Sequence, residues 1–517
     1  MSSRTLLRGL AIGLAIFSAS CTKQDGGASI NEPFVVGIRQ VGEVYDPSHV
    51  LPSEVSAVGF NVYDWLFDRN HKGQAAPGIA ESWEMSPDAR VLTVKLRPGV
   101  TFQNGSPLTA DDLVFSWARY IKGGFSTRIS RSLDKIEVVD PLTAKFYFGK
   151  PEIGFVPFGG FAVMSKAYYE KVGEQAFKTN PIGTGPYRIK ALARGRYVDL
   201  ERYDGYWGPK PELKNARFAF VTEDTTRVAQ LRAGEADMAM QVPFPLVTEI
   251  ETDPNLKTVT LSPSGTTIFL AMKIDNPKTP WADKRVREAI ALSIDHDSII
   301  KNILRGHPTY YPFLAPNDVG YDATLKPYPY DPARAKQLLK EAGVTNLTIE
   351  LPYISGATTG LKETAEAVAL YMRAVGITAT AKPIEGPQFI SWVLEASRNP
   401  KQDYIAVFIG ATAGTADSSS GLLTHFSTAT PFAWYIDPEI NRMAFDMAST
   451  PDEAARAEKI RTLGQAVHAD YRYVPLWSTA HIYGMKKCID FTPTLGSYDL
   501  IMLRDVKVSR CAAKAAK

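Results

Sequence analysis

The sequence predicts an α/β protein built from layered strands and helices and divided into several domains. Short runs with strand character, such as FVVGI at 34–38 and VLTVKL at 91–96, alternate with longer stretches of helical periodicity. That alternation builds α/β layers rather than an all-β sandwich. The chain has 517 residues, enough for about two to four domains, and no internal repeat of fixed period. Hydrophobic residues at 45% and charged residues at 22% are those of a folded chain rather than a disordered one.

The elements follow in order. Arg4 and Arg8 precede an apolar stretch, LAIGLAIF at 10–17, and then Ser18-Ala19-Ser20-Cys21. This reads as a secretory signal over residues 1–20, too short to span a membrane. Two readings of its end stay open. Either Cys21 becomes an acylated first residue, or ordinary cleavage near Ala19–Cys21 frees the chain. Ala19 and Ser20 suit lipid attachment, whereas Ser18 stands where Leu is usual. Residues 21–30 are polar and Gly-rich, as a flexible tether is.

In the body, 34–38 is the opening strand. The strand at 91–96 ends at Pro98-Gly99. Thr109 is placed to cap a helix running to about Ile121, with Asp112 three residues on as in a capping box. A strand at 144–148 follows. NPIGTGPY at 180–187 is read as a tight chain reversal. It lacks the Gly-Lys-Ser/Thr end of a phosphate loop, and Pro186 removes a backbone donor. A helix at 225–233 closes at Gly234, with a strand at 238–242 behind it. Asp283, Asp295 and Asp331-Pro332 each open a helix, and Gly343 closes the last. A helix at 361–375, a strand at 377–381, a helix opened by Thr450-Pro451-Asp452-Glu453 and a strand at 473–477 complete the pattern.

Composition excludes several functions. With 58 Lys plus Arg against 55 Asp plus Glu, the net charge of +3 is not that of a dedicated nucleic-acid binder. The sequence has no Gly-x-Ser-x-Gly, no His-Glu-x-x-His and no Cys-x-x-Cys. Its seven His, at 49, 71, 296, 307, 425, 468 and 481, never fall one helical turn apart as a zinc helix requires. Asp111-Asp112 is explained by a helix first turn. In an oxidising compartment, three Cys leave Cys488 and Cys511 as a pair once Cys21 is set aside, and a disulfide between them is expected to pin the C-terminal segment.

PGIAESWEMSPDARVLTVKLRPGVTFQNGSPLTADDLVFSWAR at 77–119 resembles the signature of the family 5 extracellular solute-binding proteins, the oligopeptide and dipeptide receptors of ABC importers. NPIGTGPY at 180–187, YWGPKPELKNARF at 206–218, LRAGEADM at 231–238, WADKRVREAIALSIDHDSII at 281–300, DPARAKQLLKEAG at 331–343 and YVPLW at 473–477 follow in that family's order. The resemblance implies a two-lobed periplasmic-binding-protein fold with a hinge and an inserted domain. Domain I would comprise 31–70, 190–280 and 480–517, the inserted domain 71–189, and domain III 281–479. Connections would cross between domains I and III near 270–282 and 477–482. A ligand would lie between closing lobes, handed on to the permease subunits. No enzyme activity and no cofactor are implied. The chain is expected to act as a monomer that meets the membrane only through an N-terminal lipid.

In peptide-binding relatives an Asp of domain III takes the ligand ammonium. The matching segment here is YIAVFIGATAGTADSSSGLL at 404–423, where Asp417 is the only carboxylate. It is the candidate anchor. The competing reading is a turn cap beside Ser418. Gly414, Thr415 and Ala416 belong to a stretch nearly without side chains, which lets a ligand approach the backbone closely and removes the Trp usual in relatives. Tyr45 and Gln241 are expected wall residues, with Trp434 and His425 as further candidates that double as scaffold. The ligand is then a peptide or another solute: an opine, an oligosaccharide or a metal chelate.

Overall fold

The computed structural model describes residues 32–39, 45–48, 52–123, 130, 132–399, 401–411, 418–429, 437–495 and 501–509, with only the backbone of 52–56 and 411. No described helix is long and apolar enough to cross a membrane.

A seven-stranded sheet forms the first lobe. Its strands run in the spatial order Leu256–Leu261, His481–Lys486, Met238–Ala239, Phe34–Ile38, Asn215–Phe220, Tyr197–Arg202 and Tyr187–Ala193. The opening strand is central because Val36 and Ile38 are buried, and it pairs in parallel on both sides. Strands from both ends of the chain share this sheet, so it cannot form until the C-terminal region returns.

A four-stranded antiparallel sheet, spanning Ala80–Met85, Val91–Leu96, Thr143–Phe148 and Leu133–Asp140, packs beside it. Helix Ala110–Gly123 covers this sheet with Leu113, Trp117 and Tyr120. The expected Thr109/Asp112 partnership forms in one direction: the Asp112 carboxylate accepts from the Thr109 N–H at 3.0 Å. Its second oxygen accepts from the Lys166 N–H at 2.9 Å, tying two helix starts together. One buried hydrophobic cluster runs continuously from Phe34 and Val36 through Leu92, Phe146 and Phe161 to Leu503.

The reversal at 180–187 depends on its glycines. A Cβ on Gly183 would lie 2.3 Å from the Val62 carbonyl oxygen, and one on Gly185 would lie 2.7 Å from the same atom. Buried Gln103 locks the turn, donating to the carbonyls of Val62, Gly185 and Tyr187 and accepting from the Gly183 N–H.

The second lobe is built on strand Thr266–Lys273, flanked antiparallel by Tyr404–Ala411 and Tyr473–Ser478. A parallel pair, Thr348–Ile354 and Thr378–Ile384, lies alongside. Helices opened by Asp283, Asp331 and Asp452 surround these strands, each capped by its Asp side chain. Strand Thr266–Lys273 pairs with 404–411 and 473–478, so pairing groups it with the 281–479 segment rather than with the 190–280 segment to which the sequence division gave it. By this pairing the chain passes between the two sheets at 262–265 and again at 479–480. Leu256–Leu261 pairs with His481–Lys486 on one side of this gate. Thr266–Lys273 pairs with Tyr473–Ser478 on the other.

Candidate functional site

The gate is fastened by small hydroxyl side chains. Ser264 N–H donates to the Thr479 carbonyl at 2.9 Å, and Thr479 N–H donates to the Thr266 carbonyl at 2.8 Å. The Thr479 hydroxyl also meets the hydroxyls of Ser264 and Thr266. Ser264 and Thr479 are buried. A two-stranded connection of this kind is the local structure that hinge closure between lobes uses.

Buried charge orders the loop at 45–48. Tyr45 and Asp46 follow the opening strand in sequence, and both are buried. The Tyr45 N–H donates to the Lys178 carbonyl at 3.0 Å, and its ring joins the core cluster of the first lobe. Asp46 accepts from the Ser48 N–H at 3.0 Å and the Ser48 hydroxyl at 2.6 Å, and pairs with Arg119. The Arg119 guanidinium lies 4.1 Å from the centre of the Tyr169 ring and 5.5 Å from that of Phe177. The pair ties the loop at 45–48 to the inserted sheet's helix.

Gln241 sits past strand Met238–Ala239 in the left-handed region, φ 53°. Arg227 holds that turn from beneath: its Nε donates to the Met240 carbonyl and its Nη2 to the Gln241 carbonyl, both at 3.2 Å. Arg227 is almost fully buried, and its Nη1 donates to the carbonyls of Val221 and Thr222.

His425 lies in helix Ser419–Phe426, edge-on to Phe269 at 5.6 Å, among the second-lobe aromatics. A Cβ on Gly410 would fall 2.6 Å from its Nε2, so Gly410 lets the imidazole settle against the strand. Burial pushes the imidazole down to about 4. Its Nδ1 has no hydrogen-bond partner among the described residues. Cys488, expected as a cystine, is disulfide-bonded. Its carbonyl accepts from the Ser509 N–H at 2.9 Å. Asp417, Gly414, Thr415, Ala416, Trp434, Cys21 and Cys511 lie outside the described residues. Among the described residues, no three His, Cys, Asp or Glu side chains gather as a metal site.

Sequence reasoning missed the Asp46–Arg119 pair, Arg227 and the Ser264–Thr479–Thr266 cluster. Arg227 carried a usable signal, an arginine on the inward face of a short helix between Val228 and the opening strand. The hydroxyl cluster carried none, since its members are 215 and 213 positions apart.

Two lobes on a paired-strand gate match what the comparisons find. Residues 74–432 match the bacterial extracellular solute-binding proteins, family 5, middle region. The chain belongs to that family. Among its relatives, the glutathione-binding protein GsiB of Escherichia coli K12 is 26% identical over 485 residues, covering 90% of this chain and 92% of GsiB. Two solved structures show the same fold at low identity. The periplasmic binding protein DppA of Helicobacter pylori, in complex with the peptide STSA, superposes with TM-score 0.78 at 23% identity, over 92% of this chain and 98% of DppA. NikA of Brucella suis, in complex with Fe(III)-EDTA, superposes with TM-score 0.82 at 23% identity, over 92% of this chain and all of NikA. The family 5 relationship joins this chain to binding proteins rather than to enzymes.

Proposed function

We propose that this family 5 protein is the exported receptor of an ABC importer, taking a peptide-like solute between its lobes and delivering it to the membrane permease. The observation that carries this reading is the gate: the chain passes between the two lobes at 262–265 and at 479–480, with strands paired on either side. Such a joint lets a ligand be enclosed and released without chemistry on it. An extended peptide suits the site because its backbone can pair with exposed strand edges in a sequence-tolerant way.

Within the reading, Asp417 takes the ligand ammonium, and Gly414, Thr415 and Ala416 give it room. Gln241, held by Arg227, forms part of the opposite wall. The protein works without catalysis or cofactor, as a monomer, and Cys21 carries a lipid that keeps it at the membrane. Domain I takes 31–70, 190–265 and 480–517, the inserted domain 71–189, and the second lobe 266–479.

A second reading, a non-peptide solute such as a metal chelate or an opine, is favoured by the likeness to a NikA structure holding Fe(III)-EDTA and by the nearly side-chain-free stretch at 410–416. Thermal unfolding separates the two. A ligand of the folded state at 100 times its Kd adds about 2.7 kcal/mol, which raises Tm by a few degrees. A rise with peptides or glutathione supports the first reading. A peptide library that leaves Tm unmoved, with a rise on adding metal chelates, replaces it by the second.

A further inference from the structure

We infer that Arg39 is a closure latch, a first-lobe side chain that reaches the second-lobe carbonyl of Gly356 and so sets how much of the receptor is closed. The inference goes beyond ligand capture and rests on the two-lobed reading only for the direction of motion.

Arg39 follows directly on the central strand Phe34–Ile38, so its backbone is fixed by the sheet. Its Nη2 donates to Asp224 at 3.2 Å, and its Nη1 donates to the Gly356 carbonyl at 2.5 Å. The two arms of one planar guanidinium thus hold groups in different lobes. Asp224 is itself immobilised, because the buried Arg227 donates to it at 2.5 Å. The latch therefore pivots on a charge network inside the first lobe.

The receiving end is equally built. Gly356 lies in the turn after strand Thr348–Ile354 with φ 66°, a conformation that favours glycine. The preceding Ser355 N–H donates to the Ile384 carbonyl at 2.8 Å, pinning the turn to the neighbouring strand. A second inter-lobe contact lies three residues beyond Gln241 in sequence. Phe244 of the first lobe stacks on His307 of the second, with centroids 5.5 Å apart and planes 17° apart. Gly360 packs under both sides of this contact: a Cβ there would lie 2.3 Å from Leu304 and 3.3 Å from Phe244.

The Arg39 contact is poised rather than permanent. Its side chain is 31% exposed, so water replaces Gly356 when the lobes part. A single partly solvated hydrogen bond from a charged donor biases an equilibrium about three- to tenfold, a range a ligand can override. The same Arg227 that fixes Asp224 also holds the Gln241 carbonyl, so the latch and the wall share one support.

The test measures inter-lobe distance by electron–electron double resonance in the full mature chain, without ligand. Spin labels are placed at Leu192→Cys and Leu370→Cys, on exposed positions of the two lobes, in a Cys21→Ser background. Arg39→Ala is expected to shift the short-to-long distance ratio toward long by about three- to tenfold, with Tm unchanged. Arg39→Lys, which keeps the charge but not both arms, is expected to fall between. Distance distributions that coincide for the parent and Arg39→Ala would overturn the latch. Should Arg39→Ala not fold, Arg39→Gln is read by the same criterion. Because no ligand is used, a negative result here leaves the receptor reading untouched, and a flat ligand screen leaves the latch untouched.

Discussion

The Thr479 amide donates to the Thr266 carbonyl at 2.8 Å where the chain passes between lobes, and the Thr479 hydroxyl meets those of Ser264 and Thr266. Thr479→Ala strips this cluster of its shared centre and leaves the buried Ser264 hydroxyl short of a partner. A loss of about 1–2 kcal/mol in unfolding free energy is expected, read from urea denaturation. An unchanged midpoint would show that the backbone bonds alone fasten the gate.

The Arg119–Asp46 pair is 5% and 0% exposed at its side chains. Arg119→Met leaves an uncompensated buried carboxylate and is expected to destabilise by about 3–5 kcal/mol. Adding Asp46→Leu to it should recover part of that loss. A double-mutant cycle in denaturant supplies the coupling, and a double variant as unstable as the sum of the singles would deny it.

Burial holds His296, His425 and His481 near 4, below the ordinary 6.5. For each, the unfolded chain gains a proton below about pH 6.5 that the folded chain refuses until about pH 4. Their contribution is thus fully present above about pH 6.5 and is lost as the pH falls toward 4, by up to about 1.4 kcal/mol per pH unit for each ring. His425→Leu should remove one proton from that slope between pH 6 and 4.5, as followed by denaturation at each pH. A slope unchanged by the substitution would mean that the ring is protonated in the folded protein.

Asp417→Asn keeps the shape of the candidate anchor and removes its charge. If it pairs with a ligand ammonium, affinity should fall by roughly 2–5 kcal/mol while the melting temperature without ligand holds. Calorimetry with the solute identified by thermal shift, beside a melt of the free protein, separates this from a turn cap, which would give the reverse pattern.

Cys488 is disulfide-bonded, and Cys511 is the expected partner. Closing that loop limits the unfolded chain, so Cys488→Ser should cost about 3 kcal/mol. Peptide mapping of the unreduced protein should yield a 488–511 cross-linked fragment. A fragment joining Cys488 to Cys21 would correct the pairing.

Local signals were legible wherever one residue type has one local task. Asp283, Asp331 and Asp452 cap the helices expected of them, and Gly234 closes its helix in the left-handed region. Strand Thr266–Lys273 escaped the reading because seven of its eight residues are buried, which leaves a continuous run in place of alternation. Its sheet partners, at 404–411 and 473–478, lie far away in sequence, and no local signal names them. Helix Lys166–Thr179 was hidden by Gly173, whose φ of 78° breaks its regularity. Tyr45 and Gln241 were expected as wall residues from their place in the sequence, whereas Arg227 and Arg39 act through partners that only the folded chain brings near. Arg39 and Gly356 are 317 positions apart.

The crossings at 262–265 and 479–480 leave the second lobe as one uninterrupted stretch whose ends adjoin, Thr267 opposite Ser478. In heredity this is a cassette. Exchange of the one gene segment between those crossings replaces that jaw in one piece, apart from the core contacts it shares with residues 228–256. A lineage built this way can change one jaw while keeping the other.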